Sequence, residues 1–108
     1  MTENIPSVSD DEFEETVLSS PLPVIVDFWA VWCGPCQMMN PTMEHLAENY
    51  KEKMKVVKMN VDENMKTPSR YGIMSIPTLL FFKGGELLET MIGVQPQDKV
   101  MEAILKHL

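Results

Sequence analysis

Blocks of apolar residues, some with polar gaps and some without, divide this chain into candidate elements. Ser9-Asp10-Asp11-Glu12 has the spacing of a capping box, and Phe13, Val17 and Leu18 follow at helical steps. This predicts a short first helix, ended by Pro21 and Pro23. Val24-Ile25-Val26-Asp27-Phe28-Trp29 does not alternate polar with apolar, which predicts a strand covered on both faces. Cys36, Met39, Met43, Leu46, Ala47 and Tyr50 recur at three- and four-residue steps. They predict one helix with a buried face, kinked at Pro41, which has no N–H to donate. Lys55-Val56-Val57-Lys58-Met59-Asn60-Val61 is a second interior strand, so strand, helix and strand form a crossover with parallel strands.

The last third has a different order. Residues 78–83 and 86–92 are two apolar runs separated only by Gly84-Gly85, which predicts an antiparallel hairpin. Val100, Ile104 and Leu108 give a final helix one apolar stripe. Ile5-Pro6-Ser7-Val8 is a candidate first strand, which Pro6 would confine to a sheet edge. The expected class is α/β, with one domain over residues 1–108, since this length buries a single core.

Composition excludes some functions. With 44% apolar and 23% charged residues the chain should fold rather than stay disordered. A net charge of −7, with no cluster of Lys and Arg, argues against nucleic acid as a partner. No apolar run approaches the roughly 20 residues that span a bilayer, so no membrane association is expected. The first residues have neither a basic start nor an apolar segment of the signal-peptide kind, so the expected location is the cytoplasm.

The chemistry lies in Trp32-Cys33-Gly34-Pro35-Cys36, which holds both cysteines of the chain at the end of the first interior strand. In a reducing compartment such a pair is catalytic, redox-active or metal-binding rather than a structural staple. A helix N-terminus stabilises anions through its unsatisfied N–H groups, so a thiolate there has a depressed pKa. Cys36, one turn on, faces the same side, Trp32 would shade the pair, and Pro35 fits a first-turn position. A zinc site usually needs four ligands, and neither His45 nor His107 has coordinating spacing to the pair, so no metal is expected. Asp27 interrupts an apolar strand six residues before Cys33. The flanking residues favour burial over a strand-end Asp reaching water, with a raised pKa and Lys58 as partner. A buried carboxyl near a thiol pair is a candidate proton shuttle. The Ile76-Pro77 bond cannot be assigned cis or trans from sequence.

Val26-Asp27-Phe28-Trp29-Ala30, Trp32-Cys33-Gly34-Pro35-Cys36, Pro41, Lys58, Ile76-Pro77-Thr78, Phe82-Lys83-Gly84-Gly85 and Gly93 resemble the thioredoxin family in order and spacing, from about residue 5 to the end. The resemblance implies a central five-stranded mixed sheet flanked by four α-helices. It implies a protein-disulfide reductase in which Cys33 attacks a target disulfide and Cys36 resolves the mixed disulfide. Asp27 would exchange the Cys36 proton through water, with Lys58 tuning it. Trp29, Trp32, Gly34, Pro35 and a cis Pro77 would support the pair. Trp32, Gly34, Pro35, Ile76, Gly93 and Val94 would form the docking surface, with the Ile76 backbone open to strand addition. Met74 joins that set because methionine suits promiscuous surfaces, while most of the 10 methionines are expected as core filler.

The resemblance also implies a thioredoxin reductase as partner, disulfide-containing proteins as targets, and no cofactor beyond the Cys33–Cys36 disulfide. A monomer is the default. Three residues depart from the family pattern: Gln37 replaces a frequent lysine, Val31 a frequent polar residue, and Asn40 a frequent alanine. None of the three is expected to touch the chemistry. Two other functions on this fold are an oxidant or isomerase, disfavoured because no His precedes Cys36, and a non-enzymatic docking subunit.

Overall fold

A computed structural model describes residues 5–108. Its sheet is mixed, with order β2-β1-β3-β4. Strand β1 (Val24–Trp29) lies inside, paired in parallel with β2 (Lys55–Asn60) and antiparallel with β3 (Thr78–Lys83). Strand β4 (Glu86–Ile92) pairs antiparallel with β3. The doubly covered run is therefore β1, and Val24, Ile25, Val26, Asp27 and Phe28 are all buried in it. Side chains alternate across the sheet. Val24, Val26 and Phe28 enter one core with Phe13, Val17 and Phe82, while Ile25 enters the other with Met43, Leu46, Phe81 and Ile104. Asp27 has the parity of Ile25.

The expected fifth strand is reduced to one bridge between Ser7 and Lys58. Lys58 N–H donates to Pro6 O at 3.0 Å and Val8 N–H to Lys58 O at 2.9 Å. The next step of a parallel ladder would need an N–H from residue 6, and proline has none.

Among the described residues four α-helices accompany the sheet: α1 (Gly34–Gln37), α2 (Asn40–Asn49), α3 (Lys66–Arg70) and α4 (Gln97–Leu105). The single kinked helix expected after Cys33 is thus two pieces, broken at Met38-Met39. Pro41 cannot donate to Gln37 O, so the i→i−4 ladder cannot run through. Half of the capping box forms: Glu12 Oε1 accepts from Ser9 N–H and Ser9 Oγ, both at 3.1 Å, while the Glu12 N–H donates to Ser9 O rather than to the Ser9 side chain. The segment behind it, Glu14–Leu18, closes a wider turn, with Ser19 N–H on Glu14 O at 2.9 Å. Helix α3 had no apolar periodicity to announce it. Asp10, 56 residues earlier, accepts from Thr67 N–H at 2.8 Å and Lys66 N–H at 3.1 Å, which supplies its N-terminal cap. Leu108 lies beyond α4 and is exposed, so only Val100 and Ile104 of the expected stripe are buried. Met39, Met43, Met54 and Met59 fill the core, but Met38, Met65 and Met74 are exposed. Among the described residues no helix is long and apolar enough to cross a membrane.

The β3–β4 hairpin turns on Gly84 and Gly85, at φ 61° and 83°. Both positions sit in the left-handed region that glycine tolerates. A Cβ on Gly85 would lie 3.1 Å from Leu18 O, whereas one on Gly84 meets open space. Gly84→Ala should therefore lose about 1 kcal/mol of stability, and Gly85→Ala about 2 kcal/mol or more, in urea unfolding. Equal losses would show that the Leu18 contact carries no weight.

Candidate active site

Strand β1 ends at Trp29, and the chain turns at once, with Cys33 N–H on Ala30 O at 3.1 Å. Cys33 then caps α1 in an extended conformation, and its Sγ accepts the Cys36 N–H at 3.1 Å. Cys33 and Cys36 are joined as a disulfide with Cα atoms 5.3 Å apart. Pro35 stands in the first turn of α1, where a missing N–H leaves no partner unsatisfied. Because α1 is a single turn, local N–H groups rather than a long helix would favour a thiolate at Cys33.

The bridge is nearly covered: Cys33 and Cys36 are each 3% exposed. They pack with Ala30 against Trp29, Val61 and Ile76. Trp32 is 69% exposed, and its indole N–H donates to Asp62 Oδ2 at 2.8 Å. That acceptor lies at the start of the loop after β2, where spacing from the cysteines gives no signal. The Ile76-Pro77 bond is cis. Thr78 Oγ1 donates to Ser75 O at 2.8 Å, and Gly93 N–H to Pro77 O at 2.8 Å, which ties the Gly93 turn to the proline loop. Trp32, Val61, Pro68, Ile73, Met74, Ser75 and Ile76 line an open groove of about 430 Å³ beside the bridge. Val61, Pro68 and Ile73 reach it through the fold alone, with no sequence motif to mark them. Met74 is 93% exposed on its rim. Val94 is exposed next to Gly93 but is not among the residues lining the groove.

A second, smaller cavity of about 190 Å³ lies behind Cys36. Asp27, Trp29, Ala30, Val31, Cys36, Gln37, Asn40 and Lys58 line it. So all three departures from the family pattern, expected to stay clear of the chemistry, sit on the wall of the Asp27 cavity. Asp27 is buried as expected and stands opposite Lys58 in the β1–β2 register. Burial pushes its carboxyl up to about 7, against the pull of the Lys58 charge. Among the described residues Asp27 Oδ1 and Trp29 Nε1 are buried without a hydrogen-bond partner. Lys58 Nζ lies 5.0 Å from the centre of the Trp29 ring, within cation–π range. The arrangement is a nearly covered disulfide with a groove beside it and a buried carboxyl behind it.

The family model described as Thioredoxin matches residues 4–106. The chain belongs to the thioredoxin family. It is 50% identical to the thioredoxin of Synechocystis sp. over 103 residues, covering 95% of this chain and 96% of that one. It is likewise 50% identical to the thioredoxin of Rickettsia prowazekii over 102 residues, covering 94% and 97%. A chloroplastic M-type thioredoxin of Chlamydomonas reinhardtii is 48% identical, covering 94% of this chain and 73% of its own length. As a member of the family the chain is a protein-disulfide oxidoreductase, and its targets are disulfide-containing proteins.

The Asp27 carboxyl links stability to pH. Its folded pKa lies above the ordinary 3.8, so the native state holds this proton more tightly than the unfolded chain. The associated stability is complete below about pH 4 and is lost as pH rises through about 7. Asp27→Asn should therefore match the parent near pH 4 and exceed it by about 2–4 kcal/mol at pH 8, in urea unfolding of the oxidised proteins. A gap that does not change with pH would contradict the burial of an ionisable carboxyl here.

Proposed function

We propose that Cys33 and Cys36 carry out the reduction in two exchanges, with Asp27 as the proton acceptor between them. The Cys33 thiolate attacks one sulfur of a target disulfide. A Cys33–target bond forms, and the target's other sulfur leaves as a thiolate. The Cys36 thiol then gives its proton, through water, to the Asp27 carboxylate. The Cys36 thiolate attacks Cys33 Sγ, the Cys33–Cys36 bond forms, and the second target sulfur leaves. Two electrons pass to the target, and the bridge is the oxidised product. The observation that supports this order is the placement of Asp27 on the wall of the cavity behind Cys36, rather than on the groove side.

Trp29, Gly34, Pro35 and Pro77 support the pair, and Lys58 moderates the Asp27 carboxyl. Targets dock on Trp32, Met74, Ile76, Gly93 and Val94. Among the described residues neither backbone polar group of Ile76 engages another backbone group, which suits pairing with an extended target segment. A thioredoxin reductase returns the bridge to the dithiol, and the protein works as a cytoplasmic monomer with no further cofactor.

The roles separate by mutation. Cys33→Ser should abolish reduction of a disulfide-bonded protein substrate. Cys36→Ser should stall after the first exchange and accumulate mixed disulfides, visible by mass spectrometry without reductant. Parental turnover in Cys33→Ser, or no trapped species in Cys36→Ser, would overturn the assignment.

A further inference from the structure

The three residues that set this chain apart from the common family pattern share one wall of the Asp27 cavity, and they differ in exposure. Val31 and Gln37 are exposed, Asn40 is half-buried, and Asp27 and Cys36 lie within. Asn40 is the first residue of α2, one past the capping position, which Met39 holds, so its amide is not drawn into a helix cap. Among the described residues the Asn40 amide makes no side-chain hydrogen bond, so both its donor and its acceptor are available to the cavity it lines. The cavity of about 190 Å³ has room for more than one water molecule at roughly 30 Å³ each, and its polar walls suit them. Water there would also satisfy Asp27 Oδ1, a buried acceptor with no protein partner.

We infer that Asn40 is a positioning residue for the resolving step: its side-chain amide anchors the water that carries the Cys36 proton to Asp27 and connects that carboxyl to solvent. The inference rests on Asp27 being the proton acceptor. An amide both donates and accepts, so one water can accept from the Cys36 thiol, donate to Asp27 and still be held by Asn40. A neutral wall suits this path, since it adds no charge to compete for the Asp27 proton. The charged and titratable groups around Asp27 are Lys58 from β2 and Cys36 from α1, and the facing residue of β3 is Leu79. Glu44 follows Asn40 at i+4 on α2. Gln37 is too exposed to hold water over Asp27.

The test separates the two exchanges. Reduced protein mixed with a chromogenic aromatic disulfide releases one coloured thiolate when Cys33 attacks and a second when Cys36 resolves. Asp27 titration is followed by carboxyl 13C NMR on the oxidised protein. Asn40→Leu fills the cavity mouth with carbon. It should slow the second release about fivefold at pH 7, leave the first within about twofold, and raise the Asp27 midpoint by about one pH unit. Asn40→Ser, small and polar, should restore the parental second release. Should the Leu variant not fold, Asn40→Ala carries the test, with an expected slowing of the second release by about threefold. If Asp27→Asn slows the second release while the Leu or Ala variant matches the parent, Asn40 is a bystander and the inference falls alone. If Asp27→Asn has no effect either, the underlying role of Asp27 falls with it.

Discussion

The Cys36 N–H held 3.1 Å from Cys33 Sγ is the contact on which the rest of the site depends. It exists because a strand buried on both faces runs straight into a helical turn, so the chain delivers its first sulfur to the open N–H groups of that turn. Strand β1 can be buried on both faces because β2 and β3 flank it and the two cores cover it. The same strand fixes Asp27 two residues before its end, on the face over which α2 packs. The cysteine turn and the buried carboxyl therefore depend on one element, and moving either would disturb the other.

Opposed tendencies meet around this strand. Burial of the two cysteines, each 3% exposed, disfavours a thiolate, whereas the N–H groups of the first turn favour one. Burial of Asp27 disfavours the carboxylate, whereas the Lys58 charge favours it. A group poised near neutrality by such a balance can accept a proton and release it again without a large barrier either way. The carboxyl destabilises the fold above neutral pH, a loss that the two cores must offset.

Much of this was legible in the sequence because it rests on local pattern. The unbroken apolar run of β1, the Gly84-Gly85 hairpin and the CxxC pair at a strand end all lie within short windows. Burial of Asp27 followed from its apolar neighbours on both sides. The missed features depend on residues far apart in the chain. Helix α3 is capped by Asp10 from 56 residues away, and Trp32 is anchored by Asp62. The break before α2 and the loss of the fifth strand come from single prolines, Pro41 and Pro6, each of which removes a backbone hydrogen bond outright instead of only bending a helix or holding a strand at an edge. Gln37, Val31 and Asn40 lie within four residues of the cysteines along the chain, but only the fold turns them toward the Asp27 cavity.

The most direct measurement is the pH dependence of Cys33 alkylation in the reduced protein, read as the rate of reaction with iodoacetamide. A first midpoint near about 7, against about 8.5 for a free cysteine, is the result expected of a thiol held at a helical first turn. Coupling to Asp27 should appear as a second, shallower step. A single midpoint at about 8.5 or above would mean that burial outweighs the N–H groups, and would contradict an activated Cys33.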